Sequence, residues 1–391
     1  MFSSRTQWKF NTNKISELLE SLKQHDVDVI DLTVSNPTQC GLLFPGKILS
    51  SLGQGENSFY EPSAQGLLKA REAVCRYYDE KGLDVHPDQV FLTASSSESY
   101  SLLFRLLLDP DEHCLFPQPS YPLFDFLIQL NDVNKDCYAL KYDKGWEIDV
   151  DQLSSRFGAR TRACVLVNPN NPTGTYVGGQ ALKANIRLCR EQQTAIISDE
   201  VFFDYSWNKE NHQSLVAHQE NLTFVLGGVS KALALPQMKL SWVVVGGPKN
   251  LVKEASQRLE IICDTYLSVN TPAQNALSAW LMARADIQAR ILERIKLNRT
   301  RLEKQIFSNP ACELLQAQGG WYAVLRLSEE IVEEDFVLEL LKEDQVSVHP
   351  GYFYDFNEGG HVVLSLLTPP ACFQEGIGRI FKRVAAVRTR G

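Results

Sequence analysis

Two lysines stand in the stretch GGVSKALALPQMKLSW, residues 227–242, and both have apolar neighbours that a solvated lysine does not need. Burial and nearby cations disfavour an ammonium, so a lysine held in such a site loses proton affinity. The amine that results is a nucleophile and forms Schiff bases with carbonyl compounds. Lys231 is the candidate for that chemistry; the bland alternative is an exposed lysine on the first turn after a strand. Asp199 closes the run AIISD (195–199), either as a helix N-cap or as a carboxylate aimed at a ligand cation. Asn171 lies in VLVNPNNPTGT (165–175). Each proline there fixes φ and removes a donor, so the loop is stiff and can hold the Asn171 amide at a set point. A plain tight turn would use the same residue types. Asn171, Asp199 and Lys231 follow one another at separations of 28 and 32 residues, each after a predicted strand.

The elements that must position them are short β-branched or apolar runs alternating with helix-period segments. Strands are predicted at 27–33, 89–94, 162–168, 194–199, 222–228 and 241–247, with amphipathic helices at 64–80, 97–108 and 178–192 between several of them. Such alternation implies a parallel sheet with helices on both faces, and ligands bind where loops leave the C-terminal strand ends. After residue 270 the pattern changes: one long helix over 271–306, with Pro272 in its first turn, then strands at 319–327 and 362–368 and a closing helix. The expected organisation is an N-terminal segment (1–45) contributing to a small domain, a large domain (46–275) and a small C-terminal domain (276–391).

The chain has 391 residues, 44% hydrophobic and 22% charged, as expected of a globular protein with a core throughout. Its net charge of −8 argues against a nucleic-acid or anionic-membrane partner, which needs a basic face. The nine cysteines form no C-x-x-C pair and have no histidine at metal-ligand spacing, so reduced, buried thiols and no metal are expected. The opening MFSSRTQWKFNTNK has no apolar signal region, and no apolar run reaches the roughly 20 residues of a membrane helix. A cytoplasmic, soluble protein is expected.

Singly weak, Asn171, Asp199 and Lys231 are strong together. On NPNNPTG, SDE and SKALALPQMKLSW the sequence resembles the fold-type-I, pyridoxal-phosphate-dependent aminotransferases of class I/II, over nearly the whole chain. The resemblance implies an α/β fold: a large, mostly parallel sheet flanked by helices, plus a smaller α+β domain. It implies pyridoxal 5'-phosphate held as a Schiff base by Lys231, which then moves the proton between Cα and C4′. Asp199 matches the carboxylate on the pyridine nitrogen, Asn171 the amide on ring O3′, and Tyr121, in QPSYPLF, the aromatic on the ring face. The TASSSESY segment (93–100) runs from strand to helix, so backbone N–H groups of Ser96 and Ser97 could face the phosphate; a serine N-cap cluster is the alternative. Ser230 is a second phosphate candidate. Lys239 stands where an arginine usually forks onto the phosphate; a lysine supplies the charge without the fork. Tyr60 matches a tyrosine that reaches the neighbouring subunit's phosphate, which implies a homodimer with shared sites.

Three positions depart from the family pattern. Phe202 replaces a tyrosine that bonds O3′, and only Tyr205 or water could restore that donor. Gly228 stands where a phosphate-binding serine is common. Val363, in HVVLSLLTPP (361–370), replaces the arginine that clamps the substrate α-carboxylate. Arg326 and Arg299 are candidates to compensate by chain region only. Trp321, Tyr322, Phe353 and Tyr354 line an aromatic pocket or pack the small domain. The resemblance implies ping-pong transfer of an amino group between small amino donors and oxo acceptors. The alternative is a lyase, decarboxylase or synthase using the same cofactor. A serine hydrolase using Ser95–Ser97 and a lysine base would leave Asn171 and Asp199 idle, and no G-x-S-x-G elbow supports it.

Overall fold

The structure, a computed structural model, describes residues 1–8, 12–42, 46–208, 212–307, 309 and 311–388; the expected boundary at residue 45 falls outside them. The strands in chain order are β1 (Ile30–Asp31), β2 (Val90–Thr93), β3 (His113–Gln118), β4 (Asn134–Tyr142), β5 (Trp146–Ile148), β6 (Thr161–Val167) and β7 (Ala195–Asp199). They continue with β8 (Thr223–Gly228), β9 (Ser241–Gly246), β10 (Cys312–Leu314), β11 (Tyr322–Leu327), β12 (Val346–Ser347), β13 (His349–Pro350) and β14 (His361–Ser365).

The large sheet has eight strands in the order β2-β9-β8-β7-β6-β3-β4-β5. Neighbours from β8 through β4 are parallel, while β9 runs antiparallel to both β2 and β8, and β5 antiparallel to β4. Successive side chains of a strand point to opposite faces, and here the two faces feed two cores. Cys164, Leu166, Val225, Trp242 and Val244 face one core; Ala163, Val165, Phe224, Leu226, Val243 and Val245 face the other. Helices cover both faces, so the central strands read as continuous apolar runs.

The smaller sheet is antiparallel, in the order β10-β11-β14-β13. The predicted strand at 27–33 contracts to β1, which pairs in parallel with β12 rather than joining the large sheet. The long helix expected over 271–306 is two helices, Thr271–Met282 and Arg284–Ile306, meeting at Ala283. No glycine or proline marks the break. The first helix buries Ala276, Leu277 and Trp280 against the helix Leu68–Asp79, and the second buries Ile287, Ile291 and Ile295 beside the closing helix Pro370–Arg388. Strands β3, β4 and β5 and the helix Lys249–Tyr266 were not expected from the sequence. Pro117 hides β3, because proline cannot donate to a ladder; the pairing of β3 with β6 stops at Leu115.

Candidate active site

The C-terminal ends of adjacent strands gather the three residues. Asp199 ends β7 and stands in register between Val167 of β6 and Leu226 of β8. Asn171 lies four residues past β6, and Lys231 sits in the short helix Val229–Ala232 directly after β8. Tyr121 follows β3, the next strand over. The helix Ser96–Leu107 follows β2 and brings Tyr100 to the group: its hydroxyl donates to Asp199 Oδ2 at 3.1 Å. No sequence motif named above contains a role for Tyr100. Its signal was its position one helical turn after Ser96 and Ser97, on the same helix face.

Asp199 is buried and accepts a second hydrogen bond at Oδ1, from the Val201 N–H at 3.2 Å. Burial pushes its carboxyl up to about 6, against the pull of these donors and of Lys231. Lys231 moves the other way, down to about 8, because its ammonium is desolvated; the charge of Asp199 offsets part of this. Its Nζ lies 5.3 Å from the ring centre of Phe202 and 5.1 Å from that of Trp321. Such an amine has a substantial neutral fraction near neutral pH, which a free lysine lacks.

The turn that carries Lys231 is clamped through its carbonyls. Tyr205 Oη donates to the Lys231 carbonyl oxygen at 2.7 Å, and Gln288 Nε2 to that of Ala232 at 2.9 Å. Tyr205 therefore does not restore the donor missing at Phe202. Ala234 and Lys239 adopt φ of +54° and +50°, left-handed conformations that cost a non-glycine residue about 1 kcal/mol each. The tightness also explains Gly228: a Cβ there would run into Ser241 Oγ, so no serine fits at 228.

The Asn/Pro loop is held by its other asparagines. Asn170 donates to the Pro119 carbonyl at 3.2 Å and accepts from Thr173 Oγ1 at 2.9 Å; Asn168 accepts the Val177 N–H at 3.0 Å. Asn171 is buried, yet its Oδ1 has no partner. A buried polar atom left unpaired costs about 1–3 kcal/mol; Oδ1 can only accept, so it is the Nδ2 end of this amide that could donate to a ligand oxygen.

Ser95 caps the helix Ser96–Leu107 by accepting the Glu98 N–H at 3.1 Å, which gives it a structural job rather than a nucleophile's. Ser96 and Ser97 occupy the first turn, where backbone N–H groups have no helical acceptor. Ser230 is partly buried beside Lys231. Lys239 is exposed just before β9, next to Leu240, whose carbonyl accepts the Val229 N–H at 3.0 Å. Tyr60 does not join the group within one chain; it is exposed at 72% of its surface and lines a small surface cleft with Tyr266 and Leu267. Two large surface clefts include neither Lys231 nor Asp199 nor Asn171.

Val363 lies buried in β14, in register with Val324 of β11 and His349 of β13. Neither arginine named for it serves. Arg326 pairs with Glu313, and Arg299 pairs with Glu303 and lies over the Trp207 ring. Trp321 and Tyr322 are buried, but they are more than core: Phe202 touches both, edge to face, at 5.1 and 6.3 Å.

The residues present fit pyridoxal phosphate: a partly neutral lysine, a buried carboxylate, an unspent amide and a helix start facing one strand-end surface. The family model of aminotransferase class I and II matches residues 27–372. The glutamate-pyruvate aminotransferase AlaA of Haemophilus influenzae is 25% identical over 381 residues, covering 94% of this chain and 93% of that one. The alanine aminotransferase of Mycobacterium tuberculosis is 28% identical over 359 residues, 88% of this chain and 82% of that one. Among solved structures, the alanine aminotransferase from Pyrococcus furiosus superposes with a TM-score of 0.91 at 24% identity, over 99% of this chain and 100% of that one. Strand-end geometry and family match agree: the chain belongs to the class I and II aminotransferases, enzymes that use pyridoxal phosphate.

Proposed function

We propose that Lys231 is the covalent anchor and proton carrier of this aminotransferase. The observation that carries the reading is the meeting of Lys231, Asp199 and Asn171 at the ends of the neighbouring strands β8, β7 and β6. When bound, pyridoxal phosphate supplies an aldehyde for the amino group and a ring that withdraws electrons from the substrate Cα. With the cofactor bound, the neutral Lys231 amine would take the proton from Cα and return it at C4′. Asp199 would hold the proton on the pyridine nitrogen, with Tyr100 keeping that carboxylate aimed. Asn171 would donate to O3′, and Tyr121 would cover the ring face. Ser96, Ser97 and Ser230 would donate to the phosphate, and Lys239 would supply countercharge from the rim.

The amino group leaves the donor as the donor becomes an oxo compound, and a second oxo compound then receives it. The exposure of Tyr60 fits a role in a neighbouring copy's site, so we read the enzyme as a homodimer with shared sites. No described helix is long and apolar enough to cross a membrane; with nine free thiols this fits a cytoplasmic enzyme. We divide the chain as 1–45 with 276–391 around the small sheet, and 46–275 around the large one.

The test is a two-step titration. Protein loaded with pyridoxal phosphate should lose its visible absorbance on adding an amino donor and regain it on adding an oxo acceptor. Release of ammonia or carbon dioxide, without recovery by any acceptor, would refute transfer.

A further inference from the structure

One face of the small sheet looks toward Lys231. Side chains in register on an antiparallel pair share a face, so Tyr322 with Ser365, and Val324, Val363 and His349, lie together. Rings connect this face to the lysine. Lys231 Nζ lies 5.3 Å from Phe202, Phe202 lies 6.3 Å from Tyr322, and Tyr322 lies 6.5 Å from Tyr354, whose hydroxyl is 3.0 Å from His349 Nδ1. The Ser120 N–H donates to the Tyr354 carbonyl at 2.9 Å, which joins the same wall to the loop of Tyr121.

The wall is polar, and among the described residues of one chain it carries no positive charge. Burial keeps the Tyr322 hydroxyl protonated, pushing it up to about 12, and lowers the proton affinity of His349, so its imidazole is neutral. The charged side chains that reach Tyr121 and His349 are the carboxylates Asp199 and Asp31. Among the described residues of one chain, the nearby cations have other partners. Arg294 Nη1 is held by the main-chain carbonyls of Cys40 and Leu367 at 3.0 Å each, without a carboxylate partner, and Lys135 pairs with Asp125 and Asp355. Arg326 is on the same face but four residues along β11 from Tyr322, about 13 Å at the rise of a strand, and it pairs with Glu313.

A carboxylate at this wall would lose its water and meet neutral donors, the arrangement that makes an anion costly to bury. A neutral hydroxyl, carbonyl or amide would find donors and acceptors in His349 and the tyrosines. Resting on the aminotransferase reading, we propose that the substrate carries an uncharged polar group, not a carboxylate, beside the carbon that bears the transferred nitrogen. The substrate class is an amino alcohol, amino amide or amino ketone and the matching oxo compound. His349, opposite Val363, is the specificity-determining residue. The enzyme would differ in this from the alanine and glutamate-pyruvate aminotransferases it resembles.

The test uses matched donors that differ only at that end: L-alanine against L-alaninol, and L-phenylalanine against L-phenylalaninol. With the holoenzyme, the donor half-reaction should be at least about tenfold faster per molar for each amino alcohol, as expected from loss of one charge-assisted contact to a carboxylate. Calorimetry on the same protein with unreactive analogues gives a readout besides turnover: 3-phenylpropan-1-ol should bind more tightly than 3-phenylpropionate. His349→Phe should reduce the amino-alcohol rate about tenfold while leaving the cofactor's absorbance unchanged, and Val363→Arg should reverse the donor preference. Faster reaction of the amino acids, together with tighter binding of 3-phenylpropionate, would overturn the inference and leave the aminotransferase reading standing. Reaction with no member of either pair, and recovery with no oxo acceptor, would overturn both.

Discussion

The hydroxyl of Tyr205 donates to the main-chain carbonyl of Lys231 at 2.7 Å, three residues from a phenylalanine that faces the same lysine and has no donor to offer. The tyrosine in this segment therefore holds the lysine's backbone, while the lysine's Nζ lies by the rings of Phe202 and Trp321. Phe202→Tyr would place a hydroxyl on that end. A new donor to the cofactor's O3′ draws charge from it and favours loss of the Schiff-base proton. The midpoint of the absorbance titration should fall by about 1–2 pH units, the equivalent of one hydrogen bond to a charged group. An unchanged midpoint would mean that Phe202 does not face O3′.

Tyr205→Phe separates backbone support from chemistry. The Lys231 carbonyl would lose its buried donor, a loss of about 1–3 kcal/mol in denaturant unfolding. Covalent capture of the cofactor should survive. If stability held and capture failed, Tyr205 would be acting on the cofactor instead.

Asp199 makes the cofactor-free protein pH-sensitive. Its carboxyl is raised from 3.8 to about 6, so between those values the folded state binds more protons than the unfolded one. Stability therefore falls as pH rises through that window, and the cost is fully present above about pH 6. Asp199→Asn should stabilise the cofactor-free protein at pH 7.5 by about 1–3 kcal/mol, with the gain gone at pH 4. Cofactor affinity should collapse in the same variant. Unfolding curves at the two pH values decide it; a gain that persists at pH 4 would point to packing rather than charge.

Gly174 holds the Asn/Pro loop closed. Its φ is +67°, and a Cβ there would run into the Gly319 carbonyl. The loop and the segment before Trp321 are joined at this point, since the Gln318 and Gly319 N–H groups donate to the Gly174 carbonyl at 3.0 and 2.9 Å. Gly174→Ala should cost about 2–4 kcal/mol in unfolding free energy, from left-handed strain plus overpacking. It should also weaken cofactor binding through Asn171. Full stability with full binding would show that the loop can shift without consequence.

The gathering of Asn171, Asp199 and Lys231 was legible in the sequence because each stands at a strand end: Asn171 after β6, Asp199 at the end of β7, Lys231 after β8. Strands buried on both faces are near-continuous apolar runs, so their ends are visible. What escaped depends on contacts distant in the chain. Tyr100 is one tyrosine on an amphipathic helix until Asp199 is placed beside it. Tyr205 is a plausible substitute donor until its hydroxyl is found on a backbone carbonyl. Strand β3 escaped because Pro117 interrupts its pattern. The break at Ala283 escaped because two different packing partners, not a breaker residue, turn the helix. Val363 could be flagged from its neighbours in sequence, but only the sheet register showed that His349 and Tyr322 share its face.

Borohydride reduction of the protein loaded with pyridoxal phosphate, followed by peptide mapping, tests whether Lys231 is the covalent anchor. One phosphopyridoxyl label should appear, on Lys231, and none in Lys231→Ala, whereas Lys239→Ala keeps the label at lower cofactor affinity. A label on Lys239, or one that survives in Lys231→Ala, would contradict it.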